Sequence, residues 1–299
     1  MVRACLATNI HTILLKLALI RSTLYLIGVS RGPWRPGCAV MTYRMLRFLL
    51  LSCAVATTLA AADNPFVGKW KLNQDKSKFT GETMTYEKTG SGEIKCSTGG
   101  LSYVFKPDGK ERSGFLGETV AWKKTGDHEW QTTHKTKGAV TAVETLTISK
   151  DEKNLMDTAK GARPDGTPFQ NQATYERTSG GPGLMGTWKS TTFQTNAAPI
   201  MELKEYEGDG LTWYSPAEKF TFSAKFDGTP GSVTGPTIPA GASGTLRRTG
   251  PLSFELVEIY ESKPFWKGTF TLSEDKRTLT AIGSMAGANE PMKATYERQ

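Results

Sequence analysis

Past residue 62 the chain has almost no cysteine, little histidine, almost no net charge and no helical periodicity. Cys96 stands alone there, because Cys5, Cys38 and Cys53 all precede it. No intrachain disulfide can form, so the fold has to be held by its cores. The expected place for a lone Cys96 is as a small buried apolar residue. Two histidines remain, His128 and His134. Six residues apart on one strand they would stand ~20 Å apart, which gives no metal-ligand pair. No metal site and no cofactor site is expected. Gly-x-Ser-x-Gly, His-Glu-x-x-His and phosphate-loop patterns are all missing. An enzyme is therefore not the expectation, and no catalytic residue is assigned.

The formal charge of +8 misleads. Of the 37 lysines and arginines, seven fall in residues 1–62, which hold no Asp or Glu; 30 then face 29 acidic residues in the remainder. A nucleic-acid binder would keep its positive excess where phosphates dock, so no nucleic-acid partner is expected.

The basic segment reads as a leader. Met41 to Phe48 is short and basic, Leu49 to Leu59 is apolar or small, and Ala60-Ala61-Ala62 offers a cleavage site before Asp63. That is the pattern of a secretory signal. It predicts a true start at Met41 or Met45, cleavage after Ala62, a secreted or periplasmic protein and no integral membrane span once cleaved. Lys16 and Arg21 interrupt the earlier apolar stretch, whereas a spanning helix needs ~20 mostly apolar residues. A minor alternative is lipidation of Cys53 in Leu50-Leu-Ser-Cys53.

The remainder is a duplication. Phe66-Val-Gly68-Lys-Trp70 matches Leu184-Met-Gly186-Thr-Trp188. Lys123-Lys-Thr-Gly126 matches Arg247-Arg-Thr-Gly250, and Leu146–Leu155 matches Phe270–Leu279. Ala173-Thr-Tyr-Glu-Arg177 recurs letter for letter at 294–298. The blocks keep their order at offsets of 118, 124, 124 and 121 residues, which indicates duplication with loop-length changes. The expected organisation is a leader at 1–62, a first module at 63–178, a Gly/Pro linker at 179–183 and a second module at 184–299.

Both modules read as strand. Phe220, Phe222, Ala224 and Phe226 alternate with polar residues, as do Trp266, Gly268, Phe270 and Leu272, and Leu101, Tyr103 and Phe105. Period two with one apolar face marks half-buried antiparallel strands, and Asp-Gly and Gly-Asp pairs punctuate them. The expected fold is all-β: two tandem antiparallel up-and-down barrels of about eight to nine strands each. A closed barrel also removes the edge strands of a meander. Closure within each module predicts Gly68 and Trp70 beside Arg177, and Gly186 and Trp188 beside Arg298, each guanidinium lying on an indole.

Gly-x-Trp on the first strand with Arg on the last resembles the end-closing pair of lipocalin-like, or calycin, barrels. The opening Asn64-Pro-Phe-Val-Gly-Lys-Trp-Lys-Leu-Asn is similar to exported bacterial lipocalin-like proteins of unassigned activity. The Thr-Asp-Tyr-like second motif and C-terminal helix of lipocalins proper are not found in either module. The resemblance supports the fold more than a function; a barrel of eight to nine strands is about the size that can hold one small ligand, and export with near-neutral charge suits an apolar or amphipathic one. A structural or interaction protein of the cell envelope with filled barrels is the alternative, and an enzyme on such a barrel is the third. Glu258, on the face of Phe254, Leu256 and Tyr260, is a candidate cavity group, and Trp266 a candidate lining residue.

Overall fold

The computed structural model describes residues 64–90, 92–288 and 290–299. The expected leader, with the expected start and cleavage sites and the alternative lipidation site at Cys53, lies outside the described residues. The described chain is twenty β-strands with one 3-10 turn at Phe115–Gly117, arranged as two ten-stranded antiparallel sheets. No helix among the described residues is long and apolar enough to cross a membrane. Each repeat contributes ten strands, more than the alternation shows. Ile94–Thr98 explains part of the difference, because it sends only Cys96 and Thr98 fully inward and so displays no apolar stripe.

In the first repeat the strands are β1 (Gly68–Leu72), β2 (Thr83–Lys88), β3 (Ile94–Thr98), β4 (Leu101–Phe105), β5 (Asp108–Ser113), β6 (Thr119–Gly126), β7 (Glu129–Thr136), β8 (Ala139–Ile148), β9 (Asn154–Ala162) and β10 (Pro168–Ser179). In the second they are β11 (Gly186–Thr195), β12 (Ile200–Glu205), β13 (Gly210–Ser215), β14 (Phe220–Lys225), β15 (Asp227–Thr234), β16 (Ala242–Gly250), β17 (Ser253–Tyr260), β18 (Lys263–Leu272), β19 (Thr278–Met285) and β20 (Met292–Arg298).

The first strands of the two repeats are exchanged. Barrel one is β2 to β11, with β11 hydrogen-bonded between β10 and β2. Barrel two is β12 to β20 closed by β1, which lies between β20 and β12. Closure within each repeat is thereby corrected. Trp70 pairs with Arg298 and Trp188 with Arg177, and the guanidinium carbons sit 4.3 Å and 4.0 Å from those indole rings.

The segment expected as the inter-module linker supplies the reason. Only residues 180–185 separate β10 from β11, and β11 folds back on β10 as a hairpin from Ser179↔Thr187 to Asn171↔Thr195. A connection that short keeps consecutive strands adjacent. The hairpin therefore fills the first-strand position of barrel one with β11, and β1 takes the equivalent position in barrel two. Residues 73–82 and 196–199 then carry the chain between barrels. The two crossings are tied together by Gln74, whose amide donates to the Thr195 carbonyl at 2.8 Å and accepts from the Thr195 N–H at 3.1 Å.

Both closures are built alike. The indole N–H of Trp70 donates to the Phe66 carbonyl at 3.0 Å, and that of Trp188 to the Leu184 carbonyl at 2.9 Å. Arg298 donates to the carbonyls of Val67, Pro65 and Lys276, and Arg177 to those of Met185, Gly183 and Glu152. A Cβ on Gly68 would run into the Arg298 guanidinium, and one on Gly186 into the backbone of Ser179. Both glycines also have positive φ, so their role in the motif is steric and conformational.

The barrels differ at one seam. In barrel two β14 and β15 are hydrogen-bonded through Thr221↔Thr234, Phe222↔Val233 and Ser223↔Ser232. The corresponding strands of barrel one, β4 and β5, are the unpaired ends of its sheet. β5 stops at Ser113, and the chain bends through Gly114 into the 3-10 turn, with Leu116 at φ +50°. The Phe115 ring packs edge-on against Tyr103 at 4.6 Å behind this seam.

Candidate functional site

Strand alternation in barrel one brings polar as well as apolar side chains inward. Along β7 the inward row is Trp130, Thr132, His134; along β8 it is Ala142, Glu144, Leu146, Ile148; along β9 it is Leu155, Asp157, Ala159. Glu118 follows the seam turn and precedes β6. All four ionisable groups among these are buried: Glu118, His134, Glu144 and Asp157.

His134 is held from both sides. Its Nδ1 lies 3.1 Å from Glu118 Oε2, and its Nε2 lies 3.3 Å from Glu144 Oε2 and 3.0 Å from Thr132 Oγ1. The Thr132 hydroxyl donates to Glu144 Oε2 at 3.3 Å. Burial opposes a charge on His134, but the carboxylates of Glu144 and Glu118 outweigh it and raise its pKa well above the ordinary imidazole value. Glu144 resists burial for the same reason. Desolvation pushes it up, the facing imidazolium pulls it down, and the net direction is down. Asp157 is pushed up to about 7, first by burial and then by the charge of Glu144. With both ring nitrogens engaged, His134 has no free nitrogen to offer as a base.

An aromatic and hydroxyl wall faces this cluster. Tyr86, Cys96 and Tyr103 form one cross-strand row over β2, β3 and β4. The Trp122 indole donates to the Tyr103 hydroxyl at 3.0 Å and stacks on Phe105 at 4.0 Å. Burial pushes the Cys96 thiol up to about 12. It is a neutral buried thiol rather than a nucleophile.

Barrel two carries the same frame with a different interior. The 124-residue offset of the best-matched middle blocks puts Leu256 at the position of Thr132, Glu258 at His134, Gly268 at Glu144, Ala281 at Asp157 and Ala242 at Glu118. The strand registers agree: Thr132↔Glu144 and Leu146↔Asp157 in barrel one correspond to Leu256↔Gly268 and Phe270↔Ala281 in barrel two. Rings fill the space. Trp266 lies across Gly268 and Gly283, where a Cβ would strike its indole, and Phe254 stacks flat on Phe270 at 4.8 Å.

Of the residues singled out from sequence, Gly68, Trp70, Arg298, Gly186, Trp188 and Arg177 meet at the two closures. Glu258 and Trp266 face each other across β17 and β18 in barrel two. Glu258 is 3% exposed, and neither its Oε2 nor Trp266 Nε1 has a hydrogen-bond partner among the described residues. Burial alone raises the Glu258 pKa well above the carboxylate range. The Glu118–His134–Glu144–Asp157 cluster was missed, although the signal that exposed Glu258 was present: Glu144 alternates with Ala142, Leu146 and Ile148 as Glu258 does with Phe254 and Leu256. His134 carries no such signal alone, because its partner Glu118 lies 16 residues before it, just after a turn. No group of three or more metal-ligand side chains is placed to hold an ion among the described residues.

Fold and site together define an all-β protein of two interlocked ten-stranded barrels, one with a polar ionisable interior and one filled by rings. No protein-family model matches the chain, no curated protein matches it, and no solved structure matches it.

Proposed function

We propose that this chain is an exported small-molecule binding protein of lipocalin-like type, in which barrel one takes the ligand and barrel two is a filled structural partner. One observation carries the reading. The same frame is built twice, and the second copy shows that it can be built with Leu256, Gly268 and Ala281 where the first has Thr132, Glu144 and Asp157. Burying ionisable groups costs several kcal/mol per ion unless they are well paired. A paired ionisable cluster that the fold does not require fits a recognition role.

One feature of barrel one supports the same reading. The unpaired seam between β4 and β5 lies beside Glu118, next to the cluster. The reading places the apolar part of an amphipathic ligand toward Trp122 and Phe105 and its polar part toward the ionisable group.

Native mass spectrometry of the full chain purified from its own host tests this. A bound small molecule is expected, together with quenching of tryptophan fluorescence when it is added back to stripped protein. Bare polypeptide mass from the host, with no fluorescence response to a panel of amphiphiles, would sink the proposal.

A further inference from the structure

The charge inventory of the cluster points to one ligand class. Glu118 and Glu144 are two carboxylates, and His134 is the single cation between them at 3.1 and 3.3 Å. Even with the imidazole protonated, this group carries an excess carboxylate. Asp157 faces the same interior from β9. Tyr86, Cys96 and Tyr103 look inward from β2, β3 and β4, and burial raises all three, so none supplies charge near neutral pH. Tyr175 adds a buried hydroxyl-bearing ring from β10. Arg163 is the one buried Lys or Arg among the described residues. It is already engaged between the barrels, with Glu218 at 3.3 Å and the Ala197 carbonyl at 2.6 Å.

Barrel two keeps an acid at only one of the corresponding positions, Glu258 in the place of His134, and burial raises its pKa well above the carboxylate range. None of the carboxylates at Glu118, Glu144 and Asp157 has an acidic counterpart there; the positions hold Ala242, Gly268 and Ala281. The nearby rings add to the case. Tyr103, Phe105 and Trp122 form one contiguous aromatic group, and aromatic faces attract organic cations by about 0.5–2 kcal/mol.

From this geometry we infer that barrel one binds an organic cation, a protonated amine on an apolar body, with the ammonium placed against Glu144 and the apolar body along the Trp122 and Phe105 wall. The inference rests on the reading of barrel one as a ligand site. A charge-assisted hydrogen bond from ammonium to carboxylate accounts for the orientation. An anionic amphiphile would add a negative charge to a group that already has one in excess.

The experiment titrates the full chain at pH 7.5 with three probes of equal chain length: octylamine, octanol and octanoate. Binding is followed by calorimetry and by tryptophan fluorescence. Octylamine is expected to bind at least about tenfold tighter than octanol, the scale of one charged hydrogen bond, with octanoate the weakest. Glu144→Gln is expected to reduce the octylamine preference toward the octanol value while leaving octanol binding in place. The wild-type ranking stands without the variant, so a misfolded Glu144→Gln does not decide the matter. Octanol or octanoate binding as tightly as octylamine would overturn the cation assignment and leave the ligand site intact. No binding of any of the three would count against both.

Discussion

Glu258 is a carboxyl group buried in a barrel of rings, and replacing it with methionine should stabilise the protein. The side chains are of similar length, so Glu258→Met changes polarity more than volume. Glu258 Oε2 and Trp266 Nε1 have no partner among the described residues, and an unsatisfied buried polar group costs about 1–3 kcal/mol. The variant should recover a gain of that order even where the carboxyl is protonated. A pH-dependent part comes on top. Because burial raises the folded pKa of Glu258 well above its unfolded value near 4.5, the folded state holds a proton that the unfolded chain releases. Its favourable contribution is complete below pH 4.5 and is lost as pH rises toward the folded pKa, at about 1 kcal/mol per pH unit. The advantage of Glu258→Met should therefore grow steadily from pH 4.5 upward. Urea titrations of both proteins at pH 4.5, 5.5 and 6.5 measure this, and the difference between the two curves cancels other groups that titrate in the range. In thermal melts each kcal/mol is worth about 2–4 °C for a chain of this size. A variant less stable at every pH, or a difference that does not change with pH, would refute the account of Glu258 as an unpaired buried acid.

Two further outcomes follow from the same structure. His134→Ala leaves Glu118 and Glu144 facing each other without their cation, and should destabilise by about 3–5 kcal/mol, the usual cost of breaking a buried pair. His134 is raised and Glu144 lowered, so the pair contributes fully between about pH 4.5 and 6.5. The penalty should be largest there and shrink as acid protonates Glu144, which urea titrations across that window will show. The strand exchange is open to double-mutant cycles. Trp70 with Arg298 should show a coupling of about 1 kcal/mol, and Trp70 with Arg177 none; the reverse result would place β1 back in its own repeat.

Much of the architecture was legible because it depends on local chemistry. Period-two alternation in Phe220 to Phe226 and Trp266 to Leu272 identifies strands whatever they pair with. Glycine at 68 and 186 and tryptophan at 70 and 188 identify the closing strands, since the close approach of Arg298 or of backbone demands them. The candidate cluster was half legible. Glu144 and His134 each sit on an inward row, but their meeting depends on the register of β7 on β8 and on the seam turn that aims Glu118.

By itself the sequence determined that there are two copies of one strand-built unit, which residues of the clearly alternating strands face inward, and that a Trp and an Arg close each barrel. Only the tertiary structure decided which copy's Trp meets which Arg. The two closing pairs are chemically alike, so contact energies cannot choose between them. Connection length chooses: the few residues between β10 and β11 hold these strands together as a hairpin, and β1 is left to complete the other barrel.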